Sequence, residues 1–427
     1  MELYTITSDN IVCTGSCTAK IHGKTVFVPG ALPGEQIEIR IIKEKKDYAE
    51  GSIERILTPS LHRREPPCPQ YGRCGGCNLQ YADDAFQVML RRDMLAGAFT
   101  RAGVSVASDS IICKTGNAWG YRSRFQLHDG GLMPRFAVSG ASAPDTSCSP
   151  VPPDSCPVAS PEVQAYFLRT PVQRRPRGRV CLFADSRLQN AADKAVIGAE
   201  AVQEHTQPRC VHKKIPAKTI RRFSGTPDAP QYRCVIRLTA NAAQEPVCKD
   251  IAFDVRGFFQ SNPALLEQTI CEALRFARGR HLLDMYCGCA VFSAFLAGSF
   301  EHTTLVEHNR DALVYAEENM RGAAHSSFGV SGARWVQEHA ASCEKSAGSI
   351  DTVFIDPPRS GMEAEVVQWL CHARGVERII SLSCDPATHA RDCAKLVQAG
   401  YALTVLELLD FYPQTSHIES LAVLERA

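Results

Sequence analysis

A cysteine stands at the end of an apolar stretch near the C-terminus, where its neighbours could support chemistry. In "RIISLSCDPA", residues 378–387, six strand-like residues precede Cys384, and Pro386 suits the first position of a helix. A thiolate at a helix N-terminus has a lowered pKa and is a better nucleophile. Asp385 has two opposed effects, because it can cap the helix while its charge disfavours a neighbouring thiolate. The pattern indicates a candidate nucleophile, although an isolated cysteine is more often a packing residue.

A second group of cysteines has the spacing of a metal site. The segment "CPQYGRCGGC" places Cys68, Cys74 and Cys77 in a C-x5-C-x2-C pattern, with glycines that let the chain fold tightly around the thiolates. Zinc and iron–sulfur sites commonly take four ligands. Cys156 in "DSCPV" is the best candidate for the fourth ligand, and Cys148 is its competitor. The spacing leaves zinc, an iron–sulfur cluster and free buried thiols open.

Two acidic residues end strand-like segments in the C-terminal half. Glu307 ends "TTLVE", and Asp356 ends "DTVFID" before a turn that two prolines fix. An acid in the position of Glu307 can accept hydrogen bonds from ribose hydroxyls, which suits the adenosine of NAD or of S-adenosylmethionine. The full G-x-G-x-x-G fingerprint of a pyrophosphate site is absent from "LLDMYCGCAVFS". Because S-adenosylmethionine has no pyrophosphate, the sequence favours it over NAD.

The framework that must position these residues is predicted from about residue 265 onwards, where strand-like and helix-like segments alternate. The predicted strands are 281–286, 303–307, 351–356, 378–383, 401–409 and 419–425. The predicted helices are 290–298, 309–323, 362–373 and 386–399. Alternating β and α segments predict a doubly wound parallel sheet, with ligand sites at the carboxyl ends of its strands.

The rest of the chain predicts two further units. Residues 2–58 contain short alternating runs broken by Gly and Pro, which favours a five-stranded barrel of the kind that binds oligonucleotides. A linker, the cysteine segment and a helix near 82–102 follow, and residues 111–255 show mixed strand signals. We therefore expect three domains, at 1–60, 61–255 and 256–427.

Composition sets the limits of the interpretation. The chain has 427 residues, of which 44% are hydrophobic and 22% charged, as in soluble proteins of two or three domains. It lacks an apolar run of membrane-spanning length, so a cytoplasmic protein is expected, and its 19 cysteines favour thiols, metal or catalysis over disulfides. The net charge is only +1, but basic residues crowd between Arg169 and Arg222. They could neutralise phosphates or form a solvated basic loop.

Several motifs together resemble the RNA uracil-5 methyltransferase family, whose members make 5-methyluridine. They are "GFFQSN" (257–262), "LLDMYCG" (282–288), "IDPPRSG" (355–361), "SLSCDPATHARD" (381–392) and "DFYPQTSHIES" (410–420). The N-terminal unit resembles a TRAM domain, and the cysteine segment resembles the iron–sulfur site of the ribosomal RNA branch. The resemblance implies an α/β fold with a Rossmann-like class I methyltransferase domain, an OB-like β-barrel and a central mixed α+β iron–sulfur domain.

The resemblance also implies a role for each matching residue. Cys384 would add to carbon 6 of uracil as the nucleophile, and Glu419 would remove the proton from carbon 5. The residues matched to S-adenosylmethionine binding are Gln260, Tyr286, Glu307 and Asp356. The ligands matched to a 4Fe–4S cluster are Cys68, Cys74, Cys77 and Cys156. The candidates for RNA contact are Tyr121, Arg122 and Arg124, with Phe258 and Phe259 as partners that stack on a flipped base or pack in the core.

Four positions depart from the family pattern: Ala290 and Val291 replace a Gly-Asn pair, Asp385 replaces an asparagine, and His339 stands where an asparagine would contact the adenine. The cluster together with TRAM favours 23S ribosomal RNA as the substrate, and we expect a monomer. The alternatives are a transfer RNA methyltransferase, an RNA-binding iron–sulfur protein with weakened catalysis and, more distantly, a NAD-dependent oxidoreductase.

Overall fold

A computed structural model of the chain describes residues 2–133, 151, 153–154, 156–191, 194–199, 232–241, 246–341 and 349–427. Cys148 and the second half of the basic segment, residues 212–222, lie outside the described residues. Among the helices that are described, none has both the length and the apolar character to cross a membrane.

The N-terminal unit is a closed five-stranded sheet. Its strands are β1 (Leu3–Thr7), β2 (Ser16–Ile21), β3 (Lys24–Pro29), β4 (Gln36–Glu44) and β5 (Tyr48–Thr58). They are ordered β1-β4-β5-β3-β2, and only the β3–β5 pair is parallel. The Asp9 N–H donates to the Thr18 carbonyl (2.7 Å), and the Thr18 N–H donates to the Asn10 carbonyl (2.9 Å). These bonds join the segment after β1 to β2, so the sheet closes into the predicted barrel.

The middle of the chain contains one long helix and two small antiparallel sheets. Its elements are α1 (Asp84–Arg101), β6 (Ile112–Lys114), β7 (Arg124–His128), α2 (Pro161–Arg169), β8 (Arg179–Ala184), β9 (Ala195–Ala199), β10 (Arg233–Asn241) and β11 (Pro246–Asp254), with 3-10 turns at Ser108–Ser110 and Val172–Arg174. The helix α1 begins where Asp83 accepts the N–H of Phe86 at 2.8 Å. Strands β7, β8 and β9 form one sheet, and β10 pairs with β11.

The C-terminal half forms an eight-stranded sheet. Its strands are β12 (His281–Met285), β13 (His302–Val306), β14 (His325–Phe328), β15 (Thr352–Ile355), β16 (Arg378–Ser383), β17 (Tyr401–Leu409) and β18 (Glu419–Arg426). Its helices are α3 (Pro263–Phe276), α4 (Val291–Leu296), α5 (Arg310–Asn319), α6 (Gly332–Trp335), α7 (Ala364–His372) and α8 (Pro386–Gln398), with further helical turns at Ala297–Ser299 and Val336–Ala340. The order is β14-β13-β12-β15-β16-β18-β17-β6, so β6 from the middle of the chain supplies one edge. The sheet is parallel except at β18, which confirms the predicted doubly wound architecture.

The two faces of this sheet are covered by separate apolar cores. Leu283 and Ile355 belong to one core, whereas their chain neighbours Leu282 and Phe354 belong to the other. Successive side chains of a strand point to opposite faces, so strands buried on both faces become continuously apolar. Polar side chains are consequently concentrated at the strand ends, where they are available for binding or catalysis.

Candidate active site

The carboxyl ends of four neighbouring strands bring the predicted site residues to one edge of the sheet. Strands β13, β12, β15 and β16 lie side by side, and the residues that follow them are Glu307, Tyr286, Asp356 and Cys384. The antiparallel strand β18 begins at this same edge with Glu419. Residues far apart in the sequence therefore share one edge of the sheet, as the strand-end argument predicts.

The register of β16 and β18 sets Cys384 against Glu419. Ser383 pairs with Ser420, and Leu382 pairs with Leu421. Continuing this antiparallel register by one residue places Cys384 directly opposite Glu419, a relation in which Cβ atoms are about 5 Å apart. The two side chains interact electrostatically, since Glu419 is the largest contributor after burial to the raised pKa of Cys384. A thiol and a carboxyl group thus face each other at the end of the sheet.

Burial and like charge govern the protonation of this pair. Burial, followed by Glu419 and Asp356, raises the pKa of Cys384 to about 11. Glu419 is 4% exposed, and burial together with the charge of Asp356 raises its pKa well above its ordinary value. Burial also raises the pKa of Asp356 to about 6. Arg359 opposes the shifts of both Cys384 and Glu419, so a cation lies close to the thiol and the carboxyl group.

Arg359 was not among the predicted catalytic or binding residues. Its loop is anchored by α8, because the Thr388 hydroxyl donates to the Arg359 carbonyl (3.2 Å) and Asp392 accepts the Met362 N–H (2.9 Å). An arginine directly after a strand-end Asp-Pro-Pro is the sequence signal that points to it.

The helix after Cys384 begins as predicted. Pro386 is its first residue, and the Asp385 carboxylate accepts the N–H groups of Ala387 (3.0 Å) and Thr388 (2.9 Å). Asp385 therefore caps α8. The contributions named above as raising the pKa of Cys384 come from burial, Glu419 and Asp356 rather than from this adjacent acid.

The turn after β12 has an unusual backbone. Tyr286 (φ +67°) and Ala290 (φ +56°) are non-glycine residues in the left-handed region, and Gly288 between them has φ +57°. A side chain costs about 1 kcal/mol or more in this conformation, which explains a preference for glycine at position 290. Ala290 is also the residue that precedes α4, and it gives this helix no side-chain cap. The alanine that replaces glycine at position 290 therefore strains the backbone locally.

Glu307 closes this turn from the neighbouring strand. Its two carboxylate oxygens accept the N–H groups of Gly288 (3.0 Å) and Asn309 (2.6 Å). Tyr286 points to the other side, where its hydroxyl accepts the N–H of Glu363 (3.1 Å). Both predicted cofactor residues therefore shape the turn itself, and the contact of the Glu307 carboxylate with an adenosine ribose stays a prediction.

Among the buried polar atoms that lack a hydrogen-bond partner within the described residues are Gln260 Oε1 and Asp284 Oδ1. Burial raises the pKa of Asp284 to about 8, and Asp356 and Glu307 add to this shift. An acid inside the apolar strand "LLDM" is the signal for Asp284, which was not predicted as a site residue. Unpaired buried acceptors beside repelling carboxyl groups favour a cationic ligand with N–H groups, and S-adenosylmethionine has both a sulfonium and an ammonium group.

The predicted metal ligands line a single cavity of about 160 Å³: Cys68, Cys74, Cys77 and Cys156. The Gly76 N–H donates to Cys74 Sγ at 3.3 Å, a contact that stabilises a thiolate. Within the described ranges, however, no three His, Cys, Asp or Glu side chains are grouped closely enough to hold one metal ion. A zinc ion with Zn–S bonds of about 2.3 Å needs sulfurs about 4 Å apart. The structure thus brings the four cysteines together around one cavity without grouping three of them as closely as a metal ion requires.

Comparisons with known proteins agree with this geometry. The family described as tRNA (Uracil-5-)-methyltransferase matches residues 251–427, and the TRAM domain matches residues 5–53. An uncharacterized RNA methyltransferase of Treponema denticola is 34% identical, with both chains covered completely. The 23S rRNA (uracil(1939)-C(5))-methyltransferase RlmD of Pectobacterium atrosepticum is 30% identical over 98% of this chain and 93% of that protein. The chain belongs to the RNA uracil-5 methyltransferase family.

The fold of this methyltransferase is also that of a solved relative. The tRNA (uracil-54, C5)-methyltransferase of Pyrococcus abyssi, crystallised with S-adenosyl-L-homocysteine, superposes with a TM-score of 0.64 over 99% of this chain and 100% of that one. Its sequence identity is 18%, so the likeness concerns the fold. The methyltransferase is thus an S-adenosylmethionine-dependent enzyme with a class I methyltransferase fold and an N-terminal TRAM domain.

The residues predicted to contact RNA differ in their exposure to solvent. Tyr121 is buried in the methyltransferase, with its hydroxyl donating to the Pro413 carbonyl at 2.9 Å, so its prediction as an RNA contact is wrong. Phe259 is 3% exposed and stacks on Phe253 at a centroid distance of 3.8 Å, which makes it a core residue. Phe258 is 72% exposed beside it and stays a candidate for stacking on a base.

Arg122 and Arg124 are half-buried and help to hold the chain. Arg122 Nε donates to the Arg124 carbonyl (3.0 Å), and Arg124 Nη2 donates to the Gly257 carbonyl (2.7 Å). Because Gly257 precedes Phe258, Arg124 fixes the segment that presents the exposed ring. In this methyltransferase, Arg124 therefore has an internal partner as well as its predicted role in RNA contact.

Proposed function

We propose that this methyltransferase methylates carbon 5 of a uridine in 23S ribosomal RNA, through a covalent bond between Cys384 and carbon 6. The observation that carries the proposal is the register of β16 and β18, which pairs Ser383 with Ser420 next to Cys384 and Glu419, together with the electrostatic interaction of these two side chains. The relatives named as 23S ribosomal RNA methyltransferases, which align over nearly the whole chain, support the choice of RNA.

Cys384 begins the reaction. Its thiolate forms the S–C6 bond, and the electron pair of the C5–C6 double bond moves toward carbon 5 as an enolate, which makes that carbon nucleophilic. The thiol must first lose its proton, which burial and two nearby carboxyl groups oppose. Arg359 is the cation that lowers the pKa of Cys384, so it supports the thiolate. We propose that the site ionises the thiol mainly when a uracil ring is next to it.

Glu419 completes the reaction. When bound, S-adenosylmethionine supplies a methyl group on a sulfonium, which carbon 5 takes. Carbon 5 then carries both the methyl group and its original proton. The Glu419 carboxylate removes that proton, the C–H electron pair restores the double bond, and the C6–S bond breaks to release the Cys384 thiolate. A carboxyl group whose pKa is raised is a stronger base than an exposed one.

The methyl donor would be held by residues at the ends of β11 to β15. Gln260 and Asp284 offer buried acceptors without partners among the described residues, and Glu307 presents its carboxylate at the ribose position. Tyr286 shapes the turn, and Asp356 lies between this pocket and Cys384. Together they hold a cation with hydroxyl groups and bring its reactive end toward the nucleophile.

Two substitutions test the assigned roles. Cys384→Ser should abolish methylation of a 23S ribosomal RNA transcript while titration still detects S-adenosylmethionine binding. Glu419→Gln should accumulate a covalent protein–RNA adduct, because proton removal is blocked after methyl transfer. Normal turnover by Glu419→Gln would exclude it as the base, and methylation of transfer RNA transcripts alone would overturn the proposed substrate.

We also propose that Cys68, Cys74, Cys77 and Cys156 hold a 4Fe–4S cluster with a structural role. The shared cavity supports a common role for the four thiols, and the choice of an iron–sulfur cluster rests on the resemblance of the cysteine segment to the ribosomal RNA branch of the family. Anaerobically purified protein should be brown and contain about four iron and four sulfide per chain. A colourless protein with one zinc per chain would contradict the proposal.

A further inference from the structure

The loop between β17 and β18, residues 410–418, leads the chain to Glu419 and is packed in the protein interior. Gln414 at its centre has φ +70°, in the left-handed region, and its side chain is inaccessible to solvent. A non-glycine residue stays in this conformation only when its surroundings hold it there. The loop is therefore shaped by partners from elsewhere in the chain.

Those partners come from the N-terminal third of the protein. The Gln414 carbonyl accepts the N–H groups of Asn78 (3.1 Å) and Leu79 (3.0 Å). Its side chain accepts from Gln87 Nε2 (2.9 Å) and donates to Asp84 Oδ1 (2.8 Å). The cysteine segment and α1 thus hold the loop in place through hydrogen bonds. These bonds join residues far apart in the chain, so a local sequence pattern does not indicate them.

Asn78 joins three parts of the chain with one side chain. Its Oδ1 accepts the Ser416 N–H (2.8 Å), and its Nδ2 donates to Ser416 Oγ (3.0 Å) and to the carbonyl of Thr14 in the barrel (3.3 Å). Ser416 Oγ in turn donates to the Cys13 carbonyl (2.9 Å). A Cβ on Gly15 would lie 2.5 Å from Asn78 Nδ2, so the barrel approaches as closely as glycine permits.

We infer that Asn78 is a positioning residue for the base, an inference that rests on the proposed function. It follows Cys77 directly and fixes Ser416, three residues before Glu419. Cys384, by contrast, is placed by β16 and α8, to which this side chain makes none of the hydrogen bonds described above. Loss of the Asn78 side chain should therefore displace the base while the nucleophile stays in place.

This separation predicts which chemical step suffers. Asn78→Ala should reduce kcat on a uridine-containing 23S ribosomal RNA transcript by about 10- to 100-fold, the size expected for a small misplacement of a catalytic group. Formation of the Cys384 adduct should continue, so the adduct should accumulate as it does with Glu419→Gln. The KM for S-adenosylmethionine should stay unchanged.

A transcript that contains 5-fluorouridine isolates the earlier steps. A base cannot remove fluorine from carbon 5 as it removes a proton, so covalent trapping on this RNA depends on Cys384 and methyl transfer alone. We expect Asn78→Ala to trap this RNA at the wild-type rate. Asn78→Asp, which keeps the acceptor for the Ser416 N–H and loses the donor, should give a smaller kcat defect.

The controls distinguish the possible failures. Asn190→Ala removes two comparable hydrogen bonds, to Arg233 and Val235, neither of which belongs to the loop 410–418, and should leave kcat unchanged. Wild-type turnover by Asn78→Ala, or equally slowed trapping on fluorinated RNA, would overturn the positioning role. Failure of the wild-type enzyme to trap fluorinated RNA would instead refute the proposed covalent function.

Discussion

Cys384 and Glu419 hold their protons tightly because each is buried beside other carboxyl groups. The sequence suggested two opposed effects of Asp385, as a cap of the following helix and as a charge that disfavours the thiolate. The structure turns the Asp385 carboxylate to the first N–H groups of α8, and Glu419 and Asp356 are the larger influences on Cys384. At the scale of residues, position across the sheet matters more than adjacency in the chain.

Asp385→Asn should therefore change the pKa of Cys384 less than Glu419→Gln does. Asparagine caps a helix as well as aspartate, so α8 should begin at the same residue in the variant. The pH dependence of alkylation at Cys384, followed by mass spectrometry of its peptide, measures the thiolate fraction. A larger downward shift in Asp385→Asn than in Glu419→Gln would contradict this prediction.

Ala290→Gly should be nearly neutral for the free energy of unfolding, within about 1 kcal/mol, because relief of the left-handed strain offsets the added chain entropy. Ala294→Gly, in the interior of α4, offers no such relief and should destabilise by about 1 kcal/mol or more. Urea unfolding of both variants makes the comparison. Equal destabilisation would show that the strain at residue 290 has no energetic effect.

At the scale of elements, the sequence predicted those strands and helices whose bounds follow from apolar runs and from the turn-forming residues between them. The predicted strands at 378–383 and 401–409 coincide with β16 and β17, and the predicted helix at 386–399 is α8 with one extra residue. Strand β14 was not predicted, because "HSSF" is short, polar and half-buried, and only pairing with β13 makes it a strand. Tertiary pairing determines such edge strands.

The same limit applies to the site. Strand-end residues could be located because carboxyl ends of parallel strands meet at one edge. The burial of a side chain could not be predicted from its sequence neighbours alone. Tyr121 and Phe259 are interior residues, although the two segments that contain them match functional motifs. The bond between Asn78 and Ser416 spans 338 positions, and no local periodicity can indicate a contact of that range.

The packing of α8 on β18 should depend on pH through His389. This residue is 2% exposed, and its Nδ1 lies 2.7 Å from the hydroxyl of Ser420, next to Glu419. Burial lowers the pKa of His389 from 6.5 to about 4. Between these values the unfolded chain binds a proton that the folded chain does not, so stability falls as pH falls through this range.

His389→Leu should remove this dependence. The loss of unfolding free energy between about pH 7.5 and about pH 5 should be about 2 kcal/mol smaller in the variant than in the wild type. Urea unfolding at both pH values gives the difference. An identical loss in the two proteins would show that His389 does not titrate as its burial implies.

At the scale of the whole molecule, a buried ion pair joins α1 to the loop before Glu419. Arg91 Nη2 lies 2.9 Å from Asp410 Oδ2, with both side chains almost inaccessible, and Arg91 Nη1 donates to the Thr415 carbonyl at 2.8 Å. Arg91→Ala would leave a buried carboxylate without its cation, and should cost about 3–5 kcal/mol of unfolding free energy. Arg237→Ala breaks the exposed pair with Asp250 and should cost about 1 kcal/mol or less. If urea unfolding gave similar losses of unfolding free energy for the two variants, this prediction would be wrong.

The dependence of residues 410–418 on residues 13–91 has a consequence during synthesis. The ribosome makes the barrel, the cysteine segment and α1 before it makes Cys384 and Glu419. The early segments must fold and then wait for a distant strand pair before a working site exists. Under the proposed mechanism, a chain that ends before residue 384 would contain the TRAM domain and lack the nucleophile, so such an incomplete product would form no covalent bond with RNA.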